Sequence, residues 1–169
     1  MIFLIGYRGT GKTTVARALA ARLGWNCFDA DAELEAKEGR RISDIFAKDG
    51  EVAFRDMEAS VLAELCKLSR HVVATGGGVI LRQTNREIMR HSGRVVWLKA
   101  DMDTIWERLQ VDAAAGRERP ALTIGGRAEV EQLLRIREPF YRDCAELIVE
   151  TGGRTPGEIA EEIQRRLLS

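Results

Sequence analysis

The sequence carries no surplus charge of either sign: 26 lysine and arginine residues stand against 26 aspartate and glutamate residues. No global field draws such a chain to nucleic acid or to a membrane surface, so any anion binding must come from local clusters. Cysteine is scarce as well. Cys27, Cys66 and Cys144 are odd in number, far apart and free of C-x-x-C spacing, which argues against a disulfide framework or a zinc site and points to a reducing cytoplasm. No apolar run approaches the roughly 20 residues that span a bilayer, and Met1 to Ile5 is too short for a signal peptide. Internal repeats, low-complexity tracts and linkers are also absent. The 169 residues are expected to form one soluble, cytoplasmic domain with its own core and with neither nucleic-acid nor membrane partners.

What is present begins near the start of the chain. Ile2 to Ile5 is a short apolar run of strand type that leads into Gly6-Tyr7-Arg8-Gly9-Thr10-Gly11-Lys12-Thr13, a match to G-x-x-x-x-G-K-[ST] at every specified position. Val15, Leu19 and Leu23 come next at i, i+4 and i+8, so a strand runs in and an amphipathic helix runs out. Gly6, Gly9 and Gly11 allow a tight turn that brings backbone N–H groups to phosphate oxygens, and the positive end of the helix adds to the attraction. In such a loop Lys12 reaches the β- and γ-phosphates and the Thr13 hydroxyl ligates Mg2+.

Further along, the first helix is expected to stop at Gly24. Trp25 to Phe28 reads as a strand that delivers Asp29 and Asp31 to the ligand-binding edge of a parallel sheet. Two readings stay open for this pair: one acid for Mg2+ and one for a substrate hydroxyl, or a helix N-cap plus a turn acid. A helix is expected over Ala32 to Glu38, a shorter one over Ile42 to Ala47 and a longer one over Glu51 to Leu68, with Val52, Met57, Val61, Leu62, Leu65 and Leu68 as its core stripe. Near its start Arg55 and Glu58 stand three residues apart, and spacing alone favours an exposed ion pair of a few tenths of a kcal/mol. The run His71 to Thr75 predicts a buried strand ending in Gly76, Gly77 and Gly78. Three glycines in succession are costly in entropy and read either as close backbone approach to a ligand or as a flexible loop. A helix over Thr84 to His91, a strand over Val95 to Lys99 and a helix over Met102 to about Gln110, capped by Asp101, complete the middle of the chain. The next segment, rich in Gly and carrying Arg117 and Arg119, reads as a lid over phosphates or as an exposed loop. Ala128 to Cys144 is helical in pattern, with an expected interruption where Pro139 pushes Glu138 out of helical geometry. A strand over Glu146 to Glu150 precedes a helix announced by Thr155 as N-cap, Pro156 at N1 and Glu158 completing a capping box, with Ile159, Ile163 and Leu167 on its packed face.

Taken in order, the phosphate loop, Asp29-x-Asp31, Phe54-Arg55-x-x-Glu58, Gly76-Gly77-Gly78, Arg119-Pro120 and Arg137-x-Pro139-x-Tyr141 closely resemble the shikimate kinase family over almost the whole chain. The resemblance implies an α/β P-loop fold in three layers, with a five-stranded parallel sheet of order 2-3-1-4-5, a mobile lid at about 112–126 and a shikimate-binding segment at about 31–60. It implies a monomer that transfers the γ-phosphoryl group of ATP to the 3-hydroxyl of shikimate, in the route to chorismate and the aromatic amino acids. Carried over residue by residue, Arg55 and Arg137 grip the shikimate carboxylate, Glu58 fixes Arg55, and Gly76, Gly77 and Gly78 present backbone N–H groups. Asp31 orients or deprotonates the attacking hydroxyl. Gly9, Thr10, Gly11, Lys12, Thr13 and Thr14 hold the nucleotide phosphates, Thr13 and Asp29 hold Mg2+, and Lys12 and Arg119 supply charge at the transferred group. Arg154 and Pro156 fall where the family encloses adenine. Between Arg108 and Arg119 the segment is longer than the family pattern, and no residue is assigned to the family's second adenine-side arginine.

Two other classes compete. Another small-molecule P-loop kinase, such as a gluconate kinase, would share the loop without the combination of Asp29-x-Asp31, Arg55 and three glycines. A non-catalytic nucleotide-binding module would be expected to have lost a chemical residue, yet Lys12, Thr13, Asp31 and Arg119 are all present. A GTP switch lacks its N-K-x-D motif here.

Overall fold

In the computed structural model, which describes residues 1–116 and 126–168, five parallel strands form one sheet of order β2-β3-β1-β4-β5. The strands are β1 (Ile2–Ile5), β2 (Asn26–Asp29), β3 (His71–Ala74), β4 (Arg94–Lys99) and β5 (Leu147–Glu150). β1 lies at the centre, with Ile2 in register with Val72 on one side and Arg94 on the other. The expected sheet order is therefore found. β1 is apolar throughout because both of its faces are covered. Phe3 and Ile5 join Val73, Val95 and Trp97 beneath α2 (Ala30–Glu38), α3 (Ile42–Leu65), α4 (Gln83–Ser92) and α6 (Gly126–Cys144). Ile2 and Leu4 join Val72, Val96 and Leu98 beneath α1 (Lys12–Leu23) and α7 (Pro156–Leu168). A further helix, α5 (Met102–Ala114), packs Ile105 with Tyr7, Ala100 and Val130 at the carboxyl edge of the sheet.

Local chemistry sets most of the boundaries. α1 stops at Gly24 and α2 at Gly39, each in the left-handed conformation that closes helices. The Asp101 carboxylate accepts from the Thr104 N–H at 2.7 Å and opens α5. In the capping box of α7, the Thr155 N–H donates to Glu158 Oε2 at 2.7 Å and the Glu158 N–H donates to Thr155 Oγ1 at 3.3 Å.

Four expectations change. The helices before and after Gly50 are continuous except at that residue, whose φ of 84° and ψ of 174° bend α3. Beyond Gly50, Phe54, Val61, Leu62 and Leu65 face inward, while Val52, about a third of a turn off their stripe, is 74% exposed. α3 ends at Leu65, which leaves Leu68 beyond it and 48% exposed. α6 runs through Pro139; the missing N–H removes one helical hydrogen bond, and Arg137, Tyr141 and Cys144, all buried, keep the helix on the core. α5 extends to Ala114, so residues 112–114 of the expected lid are helical.

Candidate active site

Two adjoining cavities open at the carboxyl edge of the sheet. The larger, of about 900 Å3, is floored by the phosphate loop. Gly6 has φ 146°, and a Cβ there would stand 2.5 Å from the Leu98 carbonyl oxygen. Gly9 and Gly11 have φ 81° and 87°. Only glycine takes this path at no steric cost, and it leads the chain into the N-terminus of α1. Thr10 Oγ1 donates to the Tyr7 carbonyl at 2.8 Å, and Lys12 Nζ donates to the carbonyls of Gly6 and Tyr7, each at 2.8 Å. Thr14 Oγ1 donates to the Gly11 carbonyl at 3.0 Å. Arg154 and Pro156 stand on a wall of this cavity; the Arg154 guanidinium pairs with Glu162 at 2.6 Å.

Arg108, to which the sequence motifs give no role, also stands on this wall. Its Nη1 donates to the Gly9 carbonyl at 2.9 Å and its Nη2 to the Thr151 carbonyl at 3.3 Å, tying α5 to the loop and to the end of β5. The chain does carry a signal for it: Arg108 comes three residues after Ile105 and so shares the inward face of the helix.

The Asp29 carboxylate joins the two cavities. Its Oδ2 accepts from Thr13 Oγ1 at 2.7 Å, while its Oδ1 accepts from the backbone N–H groups of Asp31 and Ala32 at 3.1 and 3.2 Å. Asp29 is thus both the N-cap of α2 and a neighbour of the loop hydroxyl. Among the described residues no cluster of three or more His, Cys, Asp or Glu side chains could cage a metal. A single carboxylate beside a hydroxyl at a phosphate loop fits Mg2+, which keeps waters and shares its coordination with nucleotide phosphates.

The smaller cavity, of about 360 Å3, is lined by Asp31, Arg55, Glu58, Gly76, Gly77, Gly78 and Arg137 among others. The expected exposed ion pair is instead buried: Arg55 Nη1 lies 2.8 Å from Glu58 Oε2, with the two side chains 9% and 5% exposed. The spacing of three residues is the same on either face of a helix; this pair shares the face of Val61, Leu62 and Leu65, which packs on the core. Among the described residues, buried Arg55 Nε and Glu58 Oε1 find no hydrogen-bond partner, a costly arrangement in a finished core and an ordinary one in a binding site. Burial pushes the Glu58 pKa above its usual value, outweighing the nearby Arg55, and the Asp31 charge adds to the rise.

The glycine run makes room for these groups. A Cβ at Gly76 would stand 2.8 Å from Glu58 Oε1 and 2.9 Å from Asp31 Oδ1, and one at Gly78 would stand 2.6 Å from Arg55 Cζ. Gly77 has ordinary space, and its carbonyl accepts from the Tyr141 hydroxyl at 2.6 Å. Burial raises the pKa of that hydroxyl, so it stays a donor. Tyr141 stacks on Trp97, with 5.6 Å between ring centroids, and the guanidinium of the buried Arg137 lies 5.5 Å from the centroid of Tyr7. Asp31, Arg55, Gly76–Gly78 and Arg137 are therefore brought together from α2, α3, the end of β3 and α6. Arg119 lies outside the described residues.

A family model described as shikimate kinase matches residues 8–168. A shikimate kinase from Burkholderia lata is 43% identical over 152 residues, 89% of this chain and 80% of the relative. One from Rhodopirellula baltica is 42% identical over 163 residues, 96% of this chain and 87% of the relative. Among solved structures, shikimate kinase from Acinetobacter baumannii in complex with shikimate superposes with a TM-score of 0.92 at 39% identity, covering 99% of this chain and 92% of that one. A gluconokinase from Sinorhizobium meliloti, at 19% identity and a TM-score of 0.53, shares the fold alone.

Proposed function

The chain belongs to the shikimate kinase family, and on that premise we propose that it transfers the γ-phosphoryl group of ATP to the 3-hydroxyl of shikimate, giving shikimate 3-phosphate and ADP. The observation that carries this reading is the small polar cavity beside the phosphate loop, in which two buried arginines, Arg55 and Arg137, stand with the carboxylates of Asp31 and Glu58. Shikimate is a carboxylate with three hydroxyls. Guanidinium forks suit its carboxylate because each can donate two parallel hydrogen bonds, and a carboxylate such as Asp31 suits its hydroxyls.

In this reading Arg55, steadied by Glu58, and Arg137 hold the acid end. Asp31 accepts the proton of the attacking hydroxyl as the new O–P bond forms and the bond from the γ-phosphorus to the bridging oxygen breaks, leaving ADP. Gly9, Thr10, Gly11 and Thr14 surround the phosphates with the N-terminus of α1. Lys12 exchanges the carbonyls of Gly6 and Tyr7 for phosphate oxygens. Thr13 and Asp29 would hold Mg2+, which when bound neutralises charge on the β- and γ-phosphates. Little covalent chemistry is asked of the protein, since a loose transition state needs chiefly positioning and compensating charge. Arg154, Pro156 and Arg108 enclose the base end of the cleft. The three unpaired thiols fit the expected reducing cytoplasm, and nothing in the reading requires more than a monomer.

Coupled ADP release with Mg-ATP tests it, comparing shikimate with gluconate and a panel of nucleoside monophosphates at matched concentrations. Turnover is expected with shikimate. Turnover only with another acceptor overturns the substrate, and nucleotide binding without any turnover overturns the enzyme.

A further inference from the structure

Asp29 and Arg8 each line both cavities. Asp29 already has a place in the proposed reaction. Arg8 occupies one of the unspecified positions of the phosphate-loop motif, and nothing in that motif asks for a cation there.

Its position is nevertheless constrained. Arg8 and Gly9 form the turn at the crest of the loop, and the Arg8 backbone nitrogen comes within 3.6 Å of the place a Cβ on Gly77 would occupy. The loop therefore meets the glycine run of the smaller cavity at this residue. The Arg8 guanidinium lies 6.0 Å from the centroid of Tyr7, whose side chain is 1% exposed and whose ring Arg137 also approaches. Tyr7 lines the smaller cavity, so Arg8 stands on the wall that the two cavities share, partly exposed to both. The other residue on that wall is an aspartate, and Asp31 and Glu58 lie just beyond it. Lys12 and Mg2+ compensate charge on the nucleotide side in the proposed reaction, and a cation on the shared wall adds to them where these carboxylates face the passage.

We propose that Arg8 is a further catalytic residue, whose guanidinium touches the equatorial oxygens of the γ-phosphoryl group while that group is between ADP and the acceptor. The proposal rests on the phosphoryl-transfer reading of the site. In a loose transition state the charge is spread over those three oxygens, and a planar fork with fixed donors meets two of them at once. Arg8 exchanges no proton, because guanidinium stays charged. The acceptor proton goes to Asp31, the new bond is acceptor oxygen to phosphorus, and the bridging oxygen leaves with ADP. An arginine acting at this moment lowers the barrier without tightening either ground state.

The test compares wild type, Arg8→Met and Arg8→Lys in the shikimate assay, with melting temperature and Mg-ADP affinity measured beside it. Arg8→Met keeps the length of the side chain and removes the charge. It is expected to lower kcat by roughly 10^2-fold while KM for both substrates and Mg-ADP affinity hold. Arg8→Lys is expected to recover part of the loss. Affinity for ADP with aluminium fluoride and shikimate, a mimic of the transferring group, should fall in parallel with kcat. Arg8→Met turning over at the wild-type rate overturns the proposal, as does a fall in kcat matched by equal loss of Mg-ADP affinity or of melting temperature, which would make Arg8 a structural support for Tyr7. Should Arg8→Met not fold, Arg8→Gln gives the same decision. If wild type itself does not turn over shikimate, the function falls and Arg8 with it; wild-type turnover with an indifferent Arg8→Met removes Arg8 alone.

Discussion

In the phosphate loop, Gly6, Gly9 and Gly11 sit at φ 146°, 81° and 87°, where a side chain would strain the backbone that carries it. In the smaller cavity Gly78 sits at φ −98°, open to any residue, and what bars a Cβ there is the Arg55 guanidinium; at Gly76 it is the carboxylates of Glu58 and Asp31. The first set of glycines answers chiefly to its own backbone, with the Leu98 carbonyl also barring a Cβ at Gly6, and the second to side chains delivered from elsewhere in the chain. The floor of the larger cavity is thus built by one contiguous stretch, with walls from α5, the end of β5 and α7, whereas the smaller cavity is assembled by the tertiary fold throughout. Damage to the first should abolish chemistry for any acceptor, and damage to the second should tell on shikimate alone.

The sharpest division is expected from Lys12→Met, which should cut kcat by roughly 10^3-fold with little loss of shikimate affinity; a variant that instead lost shikimate binding would erase the distinction between the cavities. Asp31→Asn should lower kcat by about 10^2- to 10^3-fold with the melting temperature little changed, and an active variant would remove Asp31 from the chemistry. Arg55→Ala should raise KM for shikimate by about 10^2-fold, as for loss of a charged hydrogen bond, while KM for ATP stays put. Because it leaves Glu58 buried without its cation, it should also lower stability by about 3 kcal/mol, read as a shift in the denaturant midpoint. Gly78→Ala should mimic it in miniature, raising KM for shikimate by about tenfold through displacement of Arg55, whereas Gly77→Ala, with room for its methyl, should fold without moving Arg55. The smallest effect concerns pH. Burial holds the folded pKa of Glu58 above the ordinary 4.5, so its contribution to stability is full below that value and is lost as pH rises through the folded one. Melting profiles of wild type minus Glu58→Gln should therefore decline across that window, and a flat difference would mean that burial does not govern this carboxylate.

The same contrast explains what can be read from the chain. The loop, the Gly24 stop, the Asp101 cap and the Thr155–Glu158 capping box involve residues a few positions apart, so their chemistry is written locally. The sheet order and the gathering of Asp31, Arg55, the glycine run and Arg137 come from resemblance, since spacing says nothing of which helix faces which strand. Arg55 and Glu58 show the difficulty plainly: a separation of three residues describes an exposed pair and a buried one equally well, and what decides is that Glu58 stands in phase with Val61, Leu62 and Leu65 on the core side of α3. Val52, placed on that stripe by periodicity, lies about a third of a turn off it and faces out. Pro139 carries a local penalty that the packing of Arg137, Tyr141 and Cys144 overrides. Arg108 is legible in principle from its helical phase but has no motif to mark it.

The Asp29 carboxylate is a bracket with an arm on each side. One oxygen holds Thr13 at the start of α1, and the other holds the first turn of α2, where Asp31 sits two residues on. In the proposed reaction a nucleotide that drew the Thr13 hydroxyl toward Mg2+ would load one arm, and an acceptor that pulled on Asp31 would load the other. Were the two binding events linked through this side chain, reciprocity would return whatever each does to the other's affinity in equal measure.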